Sequence, residues 1–175
     1  MNKNHKINYN DIELRTIEEK DIEQIRIWRN KDNIKNKFLY SEILTQEQQR
    51  KWYQSYKEKN DDLMFIIHEN SLFSKDIGAI AIYNINNENQ SAEYGRVMIG
   101  EDCAQGKGFA KKASIALLSF AFETLKLKTV YLEVFADNHN AVKLYETLGF
   151  EKKHEKLFNN TKKIYVMEIT GEIND

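Results

Sequence analysis

The sequence of 175 residues has no proline and a single cysteine, Cys103. One cysteine excludes an intramolecular disulfide and any metal site built from several thiolates, and it fits a reducing compartment. The four histidines, His5, His68, His139 and His154, show no metal-ligand spacing, so no metal is expected. No run approaches the ~20 apolar residues of a membrane-spanning helix. The polar opening "MNKNHKINYNDIELR" lacks the apolar stretch of a signal peptide. The expectation is a cytoplasmic protein with no membrane partner. Neither sign of charge is in excess: 26 Lys and Arg stand against 27 Asp and Glu, a net charge of -1, so no nucleic-acid partner is expected. The absence of proline accompanies many Asn, Lys and Ile residues, which reads as a nucleotide-composition bias.

What is present suits one globular domain over residues 1–175, with 41% hydrophobic and 30% charged residues. Hydrophobic spacing predicts a strand at "IELRTI" (12–17) and a helix at "EEKDIEQIRIWRN" (18–30). A second helix is predicted over residues 45–60, opened by a capping box at Thr45 and Gln48. Strands follow at 63–69, 77–85 and 92–100, then a helix from about Phe109 to Lys126. A strand at 129–137, a helix at 140–149 ended by Gly149, and a hairpin turned at Asn159-Asn160 complete the chain. This order predicts a mixed α/β fold with one helical crossover in its middle.

The stretch "QGKGFAKKASIALLSFAF" (105–122) places two glycines around a lysine directly before a helix. A helix start offers unpaired N–H groups and the positive end of the helix dipole, which together suit a phosphate. Gly106 and Gly108 let such a group approach the backbone, and Lys107 adds charge. The spacing does not fit a Walker loop: five residues separate Gly100 from Gly106, and no Ser or Thr follows Lys107. It does not fit a dinucleotide fingerprint either, because Lys111 stands at the third glycine. On the glycine pair alone, a plain turn competes evenly with a ligand loop.

Gln105-Gly106-Lys107-Gly108-Phe109-Ala110 resembles the Q/R-x-x-G-x-G/A pyrophosphate loop of the GCN5-related N-acetyltransferase (GNAT) family. "VFADNHNAVKLYETLGF" (134–150) is similar to that family's N-x-x-A-x-x-x-Y-x-x-x-G-F segment at Asn138, Ala141, Tyr145, Gly149 and Phe150. The resemblance covers roughly residues 12 to 170; the chain departs from it at "GEDCA" (100–104), where many relatives have a proline. It implies a mostly antiparallel mixed sheet flanked by helices, with splayed central strands, and acetyl-CoA as donor. Backbone groups of Val97, Met98 and Ile99 would hold the pantetheine arm and polarise the thioester carbonyl. Asn138 would contact the cofactor or hold the splayed strand.

Acetyl transfer to an amine needs a proton acceptor for the amine, stabilisation of the oxyanion and a donor for the departing thiolate. By motif position Tyr145 is the candidate donor; its plain alternative is a packed tyrosine. The candidate bases are Glu133, whose spacing to Asn138 and Tyr145 resembles the ribosomal-protein alanine N-acetyltransferases, and Glu93, on the strand expected to splay. Each competes with an ordinary solvated or ion-paired strand glutamate. No His is placed to activate Cys103, so a covalent acetyl-cysteine route is not expected. Trp28, Arg29 and Asn30 resemble the W-R-N segment of the branch that acetylates nucleotide-linked amino sugars, which makes such a sugar the first acceptor expected and these residues its candidate contacts. Their plain alternative is a core tryptophan, an exposed arginine and a helix cap. A protein N-terminus, a polyamine or another small amine is the rival acceptor, and a non-catalytic CoA-binding module is the rival class. A small-molecule or peptide amine is thus the expected partner, and a homodimer is left open.

Overall fold

A computed structural model describes residues 3–171. Strand β1 (Lys6–Tyr9) turns at Asn10, which has a φ of +52°, into β2 (Ile12–Thr16). A short 3₁₀ turn leads into α1 (Ile22–Asn30), followed by the single turn α2 (Asp32–Lys35). Helix α3 (Gln46–Glu58) starts at the expected capping box: Gln48 N–H donates to Thr45 Oγ1 at 3.2 Å, and Thr45 N–H donates to Gln48 Oε1 at 2.8 Å. Strands β3 (Leu63–Glu69), β4 (Lys75–Asn86) and β5 (Ser91–Ile99) form an antiparallel meander. Helix α4 (Phe109–Ser119) widens into a π-type turn over Phe120–Thr124. Strand β6 (Thr129–Phe135), helix α5 (His139–Thr147) and the hairpin of β7 (Glu151–Phe158) and β8 (Lys162–Thr170) follow.

The eight strands of the described residues lie in the order β1-β2-β3-β4-β5-β6-β8-β7. Among the described strands only β5 and β6 run parallel, because α4 returns the chain to the same end of the sheet. One sheet face packs on α4 through Leu14, Phe65, Ile80, Ile82, Tyr94, Leu117 and Leu132. The other packs on α1 and α3 through Ile25, Trp28, Tyr53, Tyr56, Met64, Ile66 and Met98. Burying a large side chain in such a layer contributes about 1.5–3 kcal/mol, so these two faces hold the sheet between its helices.

The structure adds β1 and α2 to the expected elements. β1 has four residues, too short for its alternation to stand out. Strand β6 stops at Phe135, two residues before the expected end, because Asn138 N–H turns back to Phe135 C=O at 3.0 Å and starts α5.

Candidate active site

The side of the site nearest the glycine turn is made of backbone. Gly106 and Gly108 have φ values of +71° and +81°, a region L side chains rarely adopt. Gly108 is the N-cap of α4. A Cβ on either glycine would meet no atom of the chain within 4 Å, so inside the chain it is φ alone that demands glycine. The first bond of the helix runs from Lys112 N–H to Gly108 C=O at 3.2 Å, which leaves the Phe109, Ala110 and Lys111 amides without a backbone acceptor. The Phe109 ring is 2% exposed and belongs to the core, so this residue offers its amide and not its side chain. Lys107 and Lys111 are exposed beside it. Amides at the positive end of a helix, two left-handed glycines and two exposed lysines fit a pyrophosphate. Gln105 braces this turn: its Nε2 donates to Ile99 C=O at 3.2 Å, and its Oε1 accepts from Asn33 at 3.1 Å.

The splayed strands are present. β5 and β6 pair only at Ser91–Thr129, Ala92–Val130 and Glu93–Tyr131. Beyond Glu93 the two strands part, and Val97, Met98 and Ile99 lie on the stretch of β5 that keeps β4 as its only strand partner. A bulge in β5 bends it away: the register shifts between Ala79 and Ala81, and Arg96 has a φ of +52°. Arg96 is clamped there by a bidentate bond to Asp62, at 2.8 and 3.0 Å, and its guanidinium lies 4.1 Å from the Tyr83 ring centroid. The Asp62 side chain is 3% exposed.

Tyr145 lies on the α4 side of this fork. Its half-buried ring packs edge-on against Tyr94, at 5.8 Å, and Phe150, at 5.9 Å. The turn after α5 fixes its backbone: Phe150 N–H bonds Tyr145 C=O at 3.0 Å and Gly149 N–H bonds Glu146 C=O at 3.1 Å, a Schellman motif with Gly149 at φ +95°. The hydroxyl makes no hydrogen bond among the described residues, and burial pushes the phenol up to about 12. Tyr145 therefore keeps its proton at neutral pH and can donate it in a hydrogen bond. Asn138 caps α5, its Oδ1 accepting from Ala141 N–H at 3.4 Å.

The two glutamates lie on the opposite face. Glu93 stands at the fork, with Oε1 accepting from the Tyr83 hydroxyl at 2.9 Å and Oε2 from Asn84 at 2.8 Å. Burial, and then Glu93, raise the Tyr83 phenol above its usual range, so it too stays a donor. Glu133 lies two residues past Tyr131, the last residue of β6 paired with β5, and is bonded to Lys156 at 2.5 Å. Trp52, Tyr83 and Tyr131 supply aromatic surface on the same side.

Trp28, Arg29 and Asn30 divide between two loops. Trp28 is 1% exposed and donates its indole N–H to Glu101 Oε1 at 2.9 Å. The nearby Lys31 bonds Gly100 C=O at 2.7 Å and Asp102 at 3.0 Å, so the end of α1 is tied to the segment leading into the glycine turn. Arg29 stacks on Phe38 at 3.8 Å and donates to Tyr40 C=O; burial lowers its pKa. Asn30 bonds Leu44 twice, from Nδ2 to C=O at 2.9 Å and from Leu44 N–H to Oδ1 at 2.8 Å. All three thus have partners within the chain, and Arg29 and Asn30 hold the segment 38–44, whose Tyr40 packs on Phe158. Arg96, Tyr83, Asn84 and Lys156 were not expected from the sequence. Gly95 inside a strand pattern is the one signal for the bulge; the others become neighbours only through strand pairing.

An amide-lined helix start beside a strand fork, with a protonated tyrosine on one face and carboxylates on the other, has the layout of an acyl-CoA-dependent transferase. The model of the Acetyltransferase (GNAT) domain matches residues 11–151, and the chain belongs to this family of acetyl-CoA-dependent N-acetyltransferases. Membership makes it an enzyme and sets aside the non-catalytic module. A spermidine N(1)-acetyltransferase of Vibrio cholerae is 29% identical over 163 residues, 89% of this chain and 92% of that protein. An alpha/beta-tubulin N-acetyltransferase 9 of Drosophila melanogaster is 27% identical over 183 residues, 98% and 88% of the two chains. The crystal structure of the Vibrio spermidine N-acetyltransferase with CoA and spermine superposes with a TM-score of 0.81 at 26% identity, covering 91% of this chain and 95% of that one. Another structure of that enzyme is dodecameric. Among the described residues no helix is long and apolar enough to cross a membrane.

Proposed function

We propose that this enzyme acetylates a primary amine of a polyamine such as spermidine, by direct attack within a ternary complex with acetyl-CoA. One observation carries this reading above others: near full-length likeness, in sequence and in fold, to a spermidine acetyltransferase whose structure holds CoA and spermine. The nucleotide-linked amino sugar expected from Trp28, Arg29 and Asn30 has less support. The relatives favour a polyamine, and these three side chains already serve the chain's own loops. The acceptor face also suits a polycation, with two carboxylates among tyrosine and tryptophan rings.

Acetyl-CoA supplies an acyl group activated as a thioester. The amides of Phe109, Ala110 and Lys111, with Lys107 and Lys111, serve its phosphates. The backbone of Val97, Met98 and Ile99, freed from β6 by the bulge, serves its arm and the charge that develops on the acyl oxygen. Glu93, nearest the fork, takes the proton of the attacking amine, directly or through water. Tyr145 donates a hydrogen bond on the opposite face, where negative charge builds on sulfur. The whole chain works as one acetyltransferase domain, and self-association is supported by the dodecameric relative.

The test is thiol release from acetyl-CoA with spermidine, spermine, a nucleotide-linked amino sugar and peptides with free N-termini. Spermidine or spermine should give the highest kcat/KM, by at least about tenfold. A higher value for the sugar or a peptide would sink the polyamine reading.

A further inference from the structure

The acceptor face already holds a primary alkylammonium, and it is the chain's own. Lys156 on β7 reaches over β8 and sets Nζ 2.5 Å from Glu133 Oε1. Glu133 has no other hydrogen-bond partner among the described residues, and the two side chains are 23% and 48% exposed. Glu93 is different: neutral donors occupy both of its oxygens. Next to the Glu133–Lys156 pair, two residues along each strand, Phe135 and Phe158 meet edge to face at 5.9 Å, and Tyr40 meets Phe158 at 5.7 Å. These rings, with Phe38, line a cavity of about 410 Å³ whose charged groups are Glu42 and Lys162. Lys162 Nζ lies 4.9 Å from the Phe135 centroid, so that ring already faces a cation.

We propose that Glu133 is the docking carboxylate for a non-reacting ammonium of a di- or polyamine acceptor, and that Lys156 is the resident competitor the acceptor displaces. The proposal rests on the polyamine reading and assigns its charge selection to one pair. Displacement exchanges one alkylammonium for another, so no carboxylate is left unpaired at any stage. The exchange is easy because the pair is solvent-exposed and weak; such pairs change an equilibrium by a factor of about 1.5 to 5. A monoamine must shed its charge to attack and has no second ammonium to offer Glu133. A diamine has one to spare, and its chain can continue into the aromatic-lined cavity.

The experiment compares KM for spermidine and for butylamine in the wild type, Lys156→Met, Lys156→Arg, Glu133→Gln and the Glu133→Gln/Lys156→Met double variant. Lys156→Met should lower the spermidine KM about two- to fivefold, with a smaller change for butylamine. Lys156→Arg should stay close to the wild type. Glu133→Gln should raise the spermidine KM, and adding Lys156→Met to it should then change nothing. Equal changes for the two amines, or a full Lys156→Met effect without Glu133, would overturn the proposal. So would spermidine turnover with a KM indifferent to Lys156, which leaves the polyamine reading standing. No spermidine turnover in the wild type overturns that reading and this proposal together.

Discussion

On the proposed donor side of the fork the groups invoked belong to the backbone: three amides at the start of α4 and the edge of β5 that parts from β6. On the proposed acceptor side they are side chains held by other side chains: Glu93 by Tyr83 and Asn84, Arg96 by Asp62, Glu133 by Lys156. A backbone site tolerates much change in side chains as long as dihedral angles survive. A side-chain site can be retuned by single substitutions. On the proposed reading, one donor loop would serve relatives named for acceptors as different as spermidine and tubulin.

Tyr145→Phe should have the largest effect. It removes the proposed proton donor on the α4 side of the fork, and general-acid assistance is typically worth ~10²–10⁴-fold in rate. Turnover should fall by that order while CoA affinity stays within about twofold. Because the phenol is pushed up to about 12, its protonated form persists through neutral and mildly alkaline pH. The wild-type kcat profile should therefore show no fall due to Tyr145 until pH approaches 12. A wild-type rate in the mutant, measured at saturating donor, removes Tyr145 from the chemistry.

Gly108→Asp attacks the donor side at its backbone. Aspartate is among the residues that tolerate a positive φ, and its Cβ would meet no atom of the chain, so the fold should survive with a loss of about 1 kcal/mol. The carboxylate stands where the amides favour an anion, and CoA affinity should fall at least about tenfold by calorimetry. Unchanged affinity in a folded variant would falsify the phosphate role of this turn.

Glu93→Gln is a smaller and pH-dependent break on the acceptor side. A free alkylamine has a pKa of about 10.4, so near neutral pH the acceptor is nearly all protonated and needs a base. The variant should lose about tenfold in kcat/KM near pH 7 and recover part of it by pH 9 to 10. A loss that is the same at every pH points instead to misplacement of the acceptor. The smallest effect is expected from Asn30→Ala, which cuts both bonds to Leu44 and should cost about 1–3 kcal/mol of stability by chemical denaturation. Its CoA affinity should stay near that of the wild type, because Trp28 and Lys31, not Asn30, hold the segment leading into the glycine turn.

The same contrast decides what was legible in the sequence. The glycine turn, the helix behind it and the Tyr145–Phe150 turn are local, so their residues stand in order along the chain and can be recognised as patterns. The capping box at Thr45 and the Asn159-Asn160 turn, with φ values of +49° and +57°, are local in the same way. The acceptor network is not local. Tyr83 and Glu93 meet across a hairpin, Lys156 and Glu133 meet over an intervening strand, and Asp62 and Arg96 are 34 positions apart. Trp28 shows the limit most plainly. Its neighbours Arg29 and Asn30 face one loop while it faces another, and nothing in the triplet announces that division.

Strand β7 has one more consequence. It is the last strand of the sheet among the described residues, nearly all of its residues are exposed, and no described strand lies beside its outer row of N–H and C=O groups. Such an edge is a template on which a foreign strand can grow. Glu151, Lys152, Lys153, Glu155 and Lys156 put charge on both faces of it, and Lys152–Glu155 and Lys153–Glu151 pair along its length. An approaching strand would have to bring matching charges in register on both faces. The lysines of this edge thus bear on the colloidal behaviour of the enzyme at high concentration, and neutralising them together should show first as turbidity on storage, before any change in the folded state.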